Sequence, residues 1–145
     1  MFTGIYQHNL DAKGRIIMPT KLRDELGQSF YVSRGVSKAE NGKICLQVYP
    51  IDKWEAFLNL INEKLSFTKA QNFKRILCSG ASYITLNEQG RFSIPQNLRE
   101  FADIEKEVVV VGAADIVEIW SLNNWQQFEE SQSVSDEFSQ LTELI

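Results

Sequence analysis

Residues 10–24 read Leu10-Asp11-Ala12-Lys13-Gly14-Arg15-Ile16-Ile17-Met18-Pro19-Thr20-Lys21-Leu22-Arg23-Asp24. Residues 86–100 read Leu86-Asn87-Glu88-Gln89-Gly90-Arg91-Phe92-Ser93-Ile94-Pro95-Gln96-Asn97-Leu98-Arg99-Glu100. At an offset of 76, without a gap, six of the fifteen positions are identical: Leu10/Leu86, Gly14/Gly90, Arg15/Arg91, Pro19/Pro95, Leu22/Leu98 and Arg23/Arg99. Average composition gives about one such identity by chance. The chain carries one unit twice, so each element is expected to recur in both copies.

A second block follows in the same order. Val48-Tyr49-Pro50-Ile51-Asp52-Lys53-Trp54 with Phe57 matches Ile119-Trp120-Ser121-Leu122-Asn123-Asn124-Trp125 with Phe128, at an offset of 71. The five-residue difference is expected in an Asn-Gly-bearing turn around residues 37–42, longer than its counterpart at 112–115.

Each copy has the same grammar. Tyr6, His8 and Leu10 alternate with Ile5, Gln7 and Asn9, and Ser82, Ile84 and Leu86 repeat the strand period. Asp11 or Asn87, followed at the fourth position by Gly14 or Gly90, predicts a type I turn with a glycine bulge that closes a hairpin. On the returning strand Ile16/Phe92 and Met18/Ile94 face inward, so Arg15 and Arg91 face out at the hairpin mouth. Pro19 or Pro95 then opens a short helix carrying Leu22 and Leu26, or Leu98 and Phe101/Ala102, and Gly27 ends the first. Phe30–Arg34 with Ile44–Tyr49, and Glu107–Val111 with Ile116–Trp120, predict a second hairpin per copy. Asp52 is expected to cap a helix bearing Trp54, Phe57, Leu58, Ile61 and Leu65, and Thr68 to begin another through Cys78 with Phe73, Ile76 and Leu77 on its apolar side.

One such unit has too little core to stand alone. The expected fold is α+β, with the two repeats forming a pseudo-twofold β-barrel within one chain. Residues 1–50 form the first repeat, 51–80 a helical linker, 81–122 the second repeat, and 123–145 a C-terminal helix and acidic tail.

The 15 Lys+Arg against 19 Asp+Glu argue at first sight against nucleic acid. From Glu129 onward, however, there are five acids and no base, which leaves residues 1–128 at +1. A strongly basic protein is excluded; a local basic site is not. No apolar run approaches a membrane span, and the N-terminus does not read as a signal peptide. Cys45 and Cys78, without a CxxC, read as two reduced core thiols of a cytoplasmic protein.

The two motifs, followed by V-Y-P-x-x-x-W, K-E-V-V-V-V-G and E-I-W, resemble the MraZ family, bacterial proteins with two AbrB-type swapped-hairpin repeats in one chain. The likeness runs from Met1 to about Phe128. It implies a nucleoid-associated transcriptional regulator that represses its own division and cell-wall gene cluster. It also implies binding to direct repeats in promoter double-stranded DNA and a ring-shaped homo-oligomer, with an octamer as the first expectation. The family's DNA-contact motif, Asp-x-x-x-Arg, is complete in Asp11 and Arg15; the second copy keeps Arg91, has Asn87 in place of the aspartate and adds Glu88. The first copy is therefore the stronger candidate.

The candidate DNA-binding set is Asp11, Lys13, Gly14 and Arg15 with Asn87, Gln89, Gly90 and Arg91. Arginine at a hairpin mouth can bond guanine O6/N7 bidentately or contact phosphate; the plainer reading is an arginine that fixes its own turn. Asp11, which would repel phosphate, is expected to build the turn and orient Arg15. Arg23 and Arg99, followed by Asp24 and Glu100, read as structural ion pairs rather than DNA contacts. Lys64, Lys69, Lys74 and Arg75 form an acid-free stretch that is solvated, meets a neighbouring subunit or flanks DNA. His8 takes the place of Ile84 and reads as a packed strand residue. Trp54/Trp125 and Phe57/Phe128 read as core or subunit-interface anchors.

Nothing in the sequence assembles an enzyme, a cofactor site or a metal site, and no small-molecule substrate or membrane is expected. The alternative reading is an oligomeric interaction scaffold or antitoxin-like module that uses Phe138, Leu141, Leu144 and Ile145 of the acidic tail.

Overall fold

The first copy contains β1 (Ile5–Asn9), β2 (Arg15–Ile17), α1 (Thr20–Leu26), β3 (Ser29–Arg34) and β4 (Leu46–Pro50), followed by the linker helices α2 (Ile51–Lys64) and α3 (Phe67–Ser79). The second contains β5 (Ser82–Thr85), β6 (Arg91–Ser93), α4 (Gln96–Phe101), β7 (Glu107–Ala113), β8 (Ile116–Ser121) and α5 (Leu122–Ser131). This computed structural model describes residues 1–35, 44–131 and 140–144, the last of these helical. The Asn-Gly turn expected around 37–42 lies outside the described residues.

Six strands form one antiparallel sheet in the order β1-β7-β8-β4-β3-β5, and β2 pairs with β6 in a separate two-stranded ribbon. The order reads the same from either end when the copies are exchanged, which is the expected pseudo-twofold. Its axis passes between Ile16 and Phe92, partners in the ribbon, and between Gln47 and Glu118, partners at the sheet centre.

Two expectations are corrected. β1 and β2 do not form a hairpin ladder: β1 pairs with β7, and β2 pairs with β6, its counterpart in the other copy. The barrel is not closed either, because β1 and β5 end the sheet without pairing to each other. The ribbon strands have only three residues each, too few to bridge those edges. They lie instead over the open side of the core and bury Ile16 and Phe92 in it.

The register also refines the repeat. His8 pairs with Val108, and Ile84 pairs with Phe30, so the copies run at an offset of 78 in β3 and β7. Two residues are therefore inserted before β7, and the difference across the following turn is seven residues rather than five.

The core draws equally on both copies: Phe30, Val32, Leu46 and Val48 meet Val108, Val110, Val117 and Ile119 under the ribbon. Phe30 and Phe92 pack edge-to-face, with centroids 5.4 Å apart. Pro19 and Pro95 precede α1 and α4, whose Leu22, Leu26 and Leu98 are buried as expected.

A satellite cluster joins α2 and α3 to the sheet. Trp54 is buried, stacked on Tyr31 at 5.1 Å and edge-on to Tyr49. Trp125 and Phe128 pack on Trp120 at the corresponding place in the second copy. The helix termini differ in detail from expectation. Pro50 precedes α2 and Asp52 makes no capping hydrogen bond, whereas Ser66 caps α3 by accepting from the Lys69 amide at 3.4 Å. On α3, Ala70 and Leu77 are the buried residues; Phe73 and Ile76 are exposed and line an open groove with Arg34 and Phe101. Of the two free cysteines, Cys45 is buried and Cys78 is exposed, which corrects the reading of two core thiols. Burial and the neighbouring Glu118 raise the Cys45 thiol above its ordinary range.

Candidate nucleic-acid interface

Both turns form as their local chemistry dictates. The Gly14 amide donates to the Asp11 carbonyl and the Gly90 amide to the Asn87 carbonyl, each at 2.9 Å. Asp11 Oδ1 accepts from the amides of Lys13 and Arg15, both at 2.9 Å. Asn87 Oδ1 accepts from those of Gln89 and Arg91 at 3.0 and 2.9 Å. Gly14 and Gly90 hold φ of +75° and +76°, the left-handed conformation that favours glycine. Aspartate and asparagine thus build the same turn, since each supplies one side-chain oxygen to two amides. The substitution at 87 costs the turn nothing in geometry.

Beyond the turns, strand alternation in the ribbon sends Ile16 and Phe92 into the core and Arg15 and Arg91 to the opposite face. The two arginines, 76 residues apart in sequence, converge there on a single carboxylate. Arg15 Nε donates to Asp11 Oδ2 at 2.9 Å, and Arg91 Nη1 stands 3.8 Å from the same oxygen. Hydrogen bonds from the Arg15 and Lys13 amides and from the Arg15 side chain hold the Asp11 carboxyl below the usual carboxylate range. Lys13, Gln89 and Glu88 are exposed beside the arginines.

Arg23 and Arg99 do something the sequence does not disclose. Arg23 Nε donates to the Met18 carbonyl at 2.7 Å, and its Nη2 reaches the Gln89 carbonyl at 3.4 Å, in the other copy's turn. A Cβ at Gly90 would meet the Arg23 guanidinium at 2.1 Å, and one at Gly14 would meet Arg99 Nη1 at 3.0 Å. Each helix arginine lies against the turn glycine of the other copy. The expected pairs with Asp24 and Glu100 are absent from the ion pairs of the described residues. The clamps are not equivalent, for Arg99 Nε is buried without an acceptor. That Arg23 and Arg99 repeat is visible in the sequence; that each serves the opposite copy is not.

The other candidates stay apart from this face. His8 is half-buried on β1, and burial lowers its pKa. Lys64, Lys69 and Arg75 are exposed on α2 and α3, with Arg75 bonded to Asn72, while Lys74 is half-buried. Leu141 and Leu144 are exposed, whereas Phe138 and Ile145 lie outside the described residues. Among the described residues, no group of three or more His, Cys, Asp or Glu side chains gathers where a metal ion could be held. No helix there is long and apolar enough to cross a membrane.

A family model described as "MraZ protein, putative antitoxin-like" matches the chain twice, over residues 1–76 and 77–144. The chain belongs to the MraZ family. The family's relatives include the transcriptional regulator MraZ of Finegoldia magna, 43% identical over 93% of this chain and 91% of that protein. The MraZ transcriptional regulator of Clostridium beijerinckii is 44% identical over 90% and 89% of the two chains. That of Natranaerobius thermophilus is 38% identical over 100% and 96%. The double match agrees with the internal repeat of the sequence.

Proposed function

We propose that this chain is a sequence-specific, double-stranded DNA-binding transcriptional regulator that acts without a cofactor. The observation that carries the proposal is the convergence of Arg15 and Arg91 on the outward face of the β2–β6 ribbon, with the backbone amide of each held by an Asx–Gly turn. The names of the relatives support the regulatory role. A guanidinium can read guanine O6/N7 bidentately, and Lys13 adds a phosphate contact. In detail, the protein binds direct repeats in the promoter of its own division and cell-wall gene cluster and represses it, as a cytoplasmic, nucleoid-associated homo-oligomer.

Low overall basicity sets the mechanism. With a net charge of −4, one protomer offers little attraction to a polyanion. A ring, an octamer first among the sizes, presents many ribbon faces to evenly spaced sites and gains affinity by effective concentration. Binding then weakens steeply with salt, by a slope of roughly −0.9 per phosphate neutralised.

The test is a gel shift with the DNA just upstream of the coding region, alongside light scattering for oligomer mass. Arg15→Ala is expected to weaken binding about 5- to 150-fold per engaged protomer, the range of a lost bidentate contact, with the oligomer mass unchanged. Unchanged affinity in Arg15→Ala would overturn the proposal. Exposed Leu141 and Leu144 favour a second reading, a tail that docks on a protein partner; a partner lost on removal of residues 129–145, with DNA binding absent, is the outcome that selects it.

A further inference from the structure

Asp11 does more than its turn requires. The second copy shows the minimum: Asn87 makes both amide bonds with one oxygen, and its other terminal atom is a donor that cannot accept from Arg91. Asp11 uses Oδ1 for the same two amides and has Oδ2 left over. That oxygen holds Arg15 Nε at 2.9 Å and faces Arg91 Nη1 at 3.8 Å.

We infer that Asp11 is a positioning residue shared by both copies, whose Oδ2 ties Arg15 and Arg91 into one unit and sets the discrimination between the cognate sequence and other DNA. The inference rests on the DNA-binding reading above and adds to it a residue role that crosses the repeats.

The two arginines are held differently. Arg15 is bonded through Nε, which leaves its two terminal nitrogens unspent on the aspartate and the fork aimed by a fixed hinge. Arg91, at 3.8 Å, is attracted without a hydrogen bond and can swing to a phosphate. Charge adds the second half. Two guanidiniums and one carboxylate carry a net +1, so an arbitrary duplex meets half the attraction that two free arginines would offer. A cognate site recovers the difference through bidentate bonds to base edges, which a wrong sequence lacks. The Asp/Asn asymmetry of the turns then has a physical reason. A second aspartate at 87 would bring the unit to zero, and asparagine at both positions would leave an unrestrained +2.

Asp11→Asn is the informative variant, because position 87 shows that asparagine builds this turn. Fluorescence anisotropy between 50 and 200 mM salt compares the upstream DNA with a shuffled duplex of equal length, for the full-length wild type, Asp11→Asn and Asn87→Asp. Asp11→Asn is expected to bind the shuffled duplex more tightly, with a slope steeper by about 0.9 for one further phosphate, an extra loss of about three- to fourfold across that range. Its preference for the upstream DNA falls several-fold. Asn87→Asp moves both quantities the other way. Wild-type thermal unfolding in each variant separates this role from a merely structural one. If shuffled-duplex affinity and slope stay at wild-type values in Asp11→Asn and Asn87→Asp, the shared role of Asp11 is overturned while the DNA-binding reading stands. If the wild type itself binds neither duplex, both fall.

Discussion

Gly14 and Gly90 have nearly the same backbone and quite different surroundings. Placing any L side chain at φ of +75° or +76° costs about 1–2 kcal/mol. At Gly14 a methyl would sit 3.0 Å from the end of Arg99, a side chain whose Nε has no acceptor to lose. At Gly90 it would stand 2.1 Å from Arg23 Cζ, and Arg23 would have to give up its 2.7 Å bond to the Met18 carbonyl. Gly14→Ala is therefore expected to cost about 1–2 kcal/mol, and Gly90→Ala about 1.5–3 kcal/mol more than that, the worth of a hydrogen bond to a charged group. Chemical denaturation of both variants checks the ranking; equal losses would mean that Arg23 restrains nothing. Both glycines, and the turn type, were legible in the sequence because an Asx side chain and a glycine three residues later interact within five residues. The clamping arginines were not, since nothing local to Arg23 points 66 residues ahead to Gln89.

The element that carries the proposed function is also the most dependent on its neighbours. β2 and β6 have three residues each, and a ribbon of that length has no stability of its own in water. It is held by Ile16 and Phe92 beneath it, 1% and 4% exposed, and by the edge-to-face contact of Phe92 with Phe30. Phe92→Ala is expected to destabilise the protein by about 3–5 kcal/mol, read from the denaturation midpoint, and to weaken DNA binding by loosening the face that bears Arg15 and Arg91. A loss under 1 kcal/mol would show that the ribbon is held by something else. Strand alternation placed these inward residues correctly from the sequence. The hairpin expected between β1 and β2 came from the Asx–Gly turn, which forms without a ladder behind it. A turn fixes a reversal of the chain, and period two tells only which face a strand buries, not which strand lies alongside.

At the scale of the whole molecule, every ladder made by the first copy's strands, apart from β3–β4, is made with a strand of the second. β1 lies on β7, β4 on β8 and β3 on β5, and the ribbon needs one strand from each. A fragment of residues 1–76 is expected not to fold as a monomer: it stays unfolded or pairs with a second copy that supplies the missing strands. Amide dispersion in NMR spectra together with light-scattering mass decides this. A folded monomer would show that the interleaving is dispensable.

The duplication, the turn chemistry, the inward residues and the partition of charge between a near-neutral body and an acidic tail were determined by the sequence alone, because each depends on residue type and on spacing of a few positions. The tertiary structure decided which copy each strand and each arginine serves. Both copies display nearly the same edges, hydrophobic faces and turns, so local chemistry cannot choose between pairing within a copy and pairing across. That choice is made when one core is closed from two halves, and its consequence is that Arg15 and Arg91 meet at Asp11.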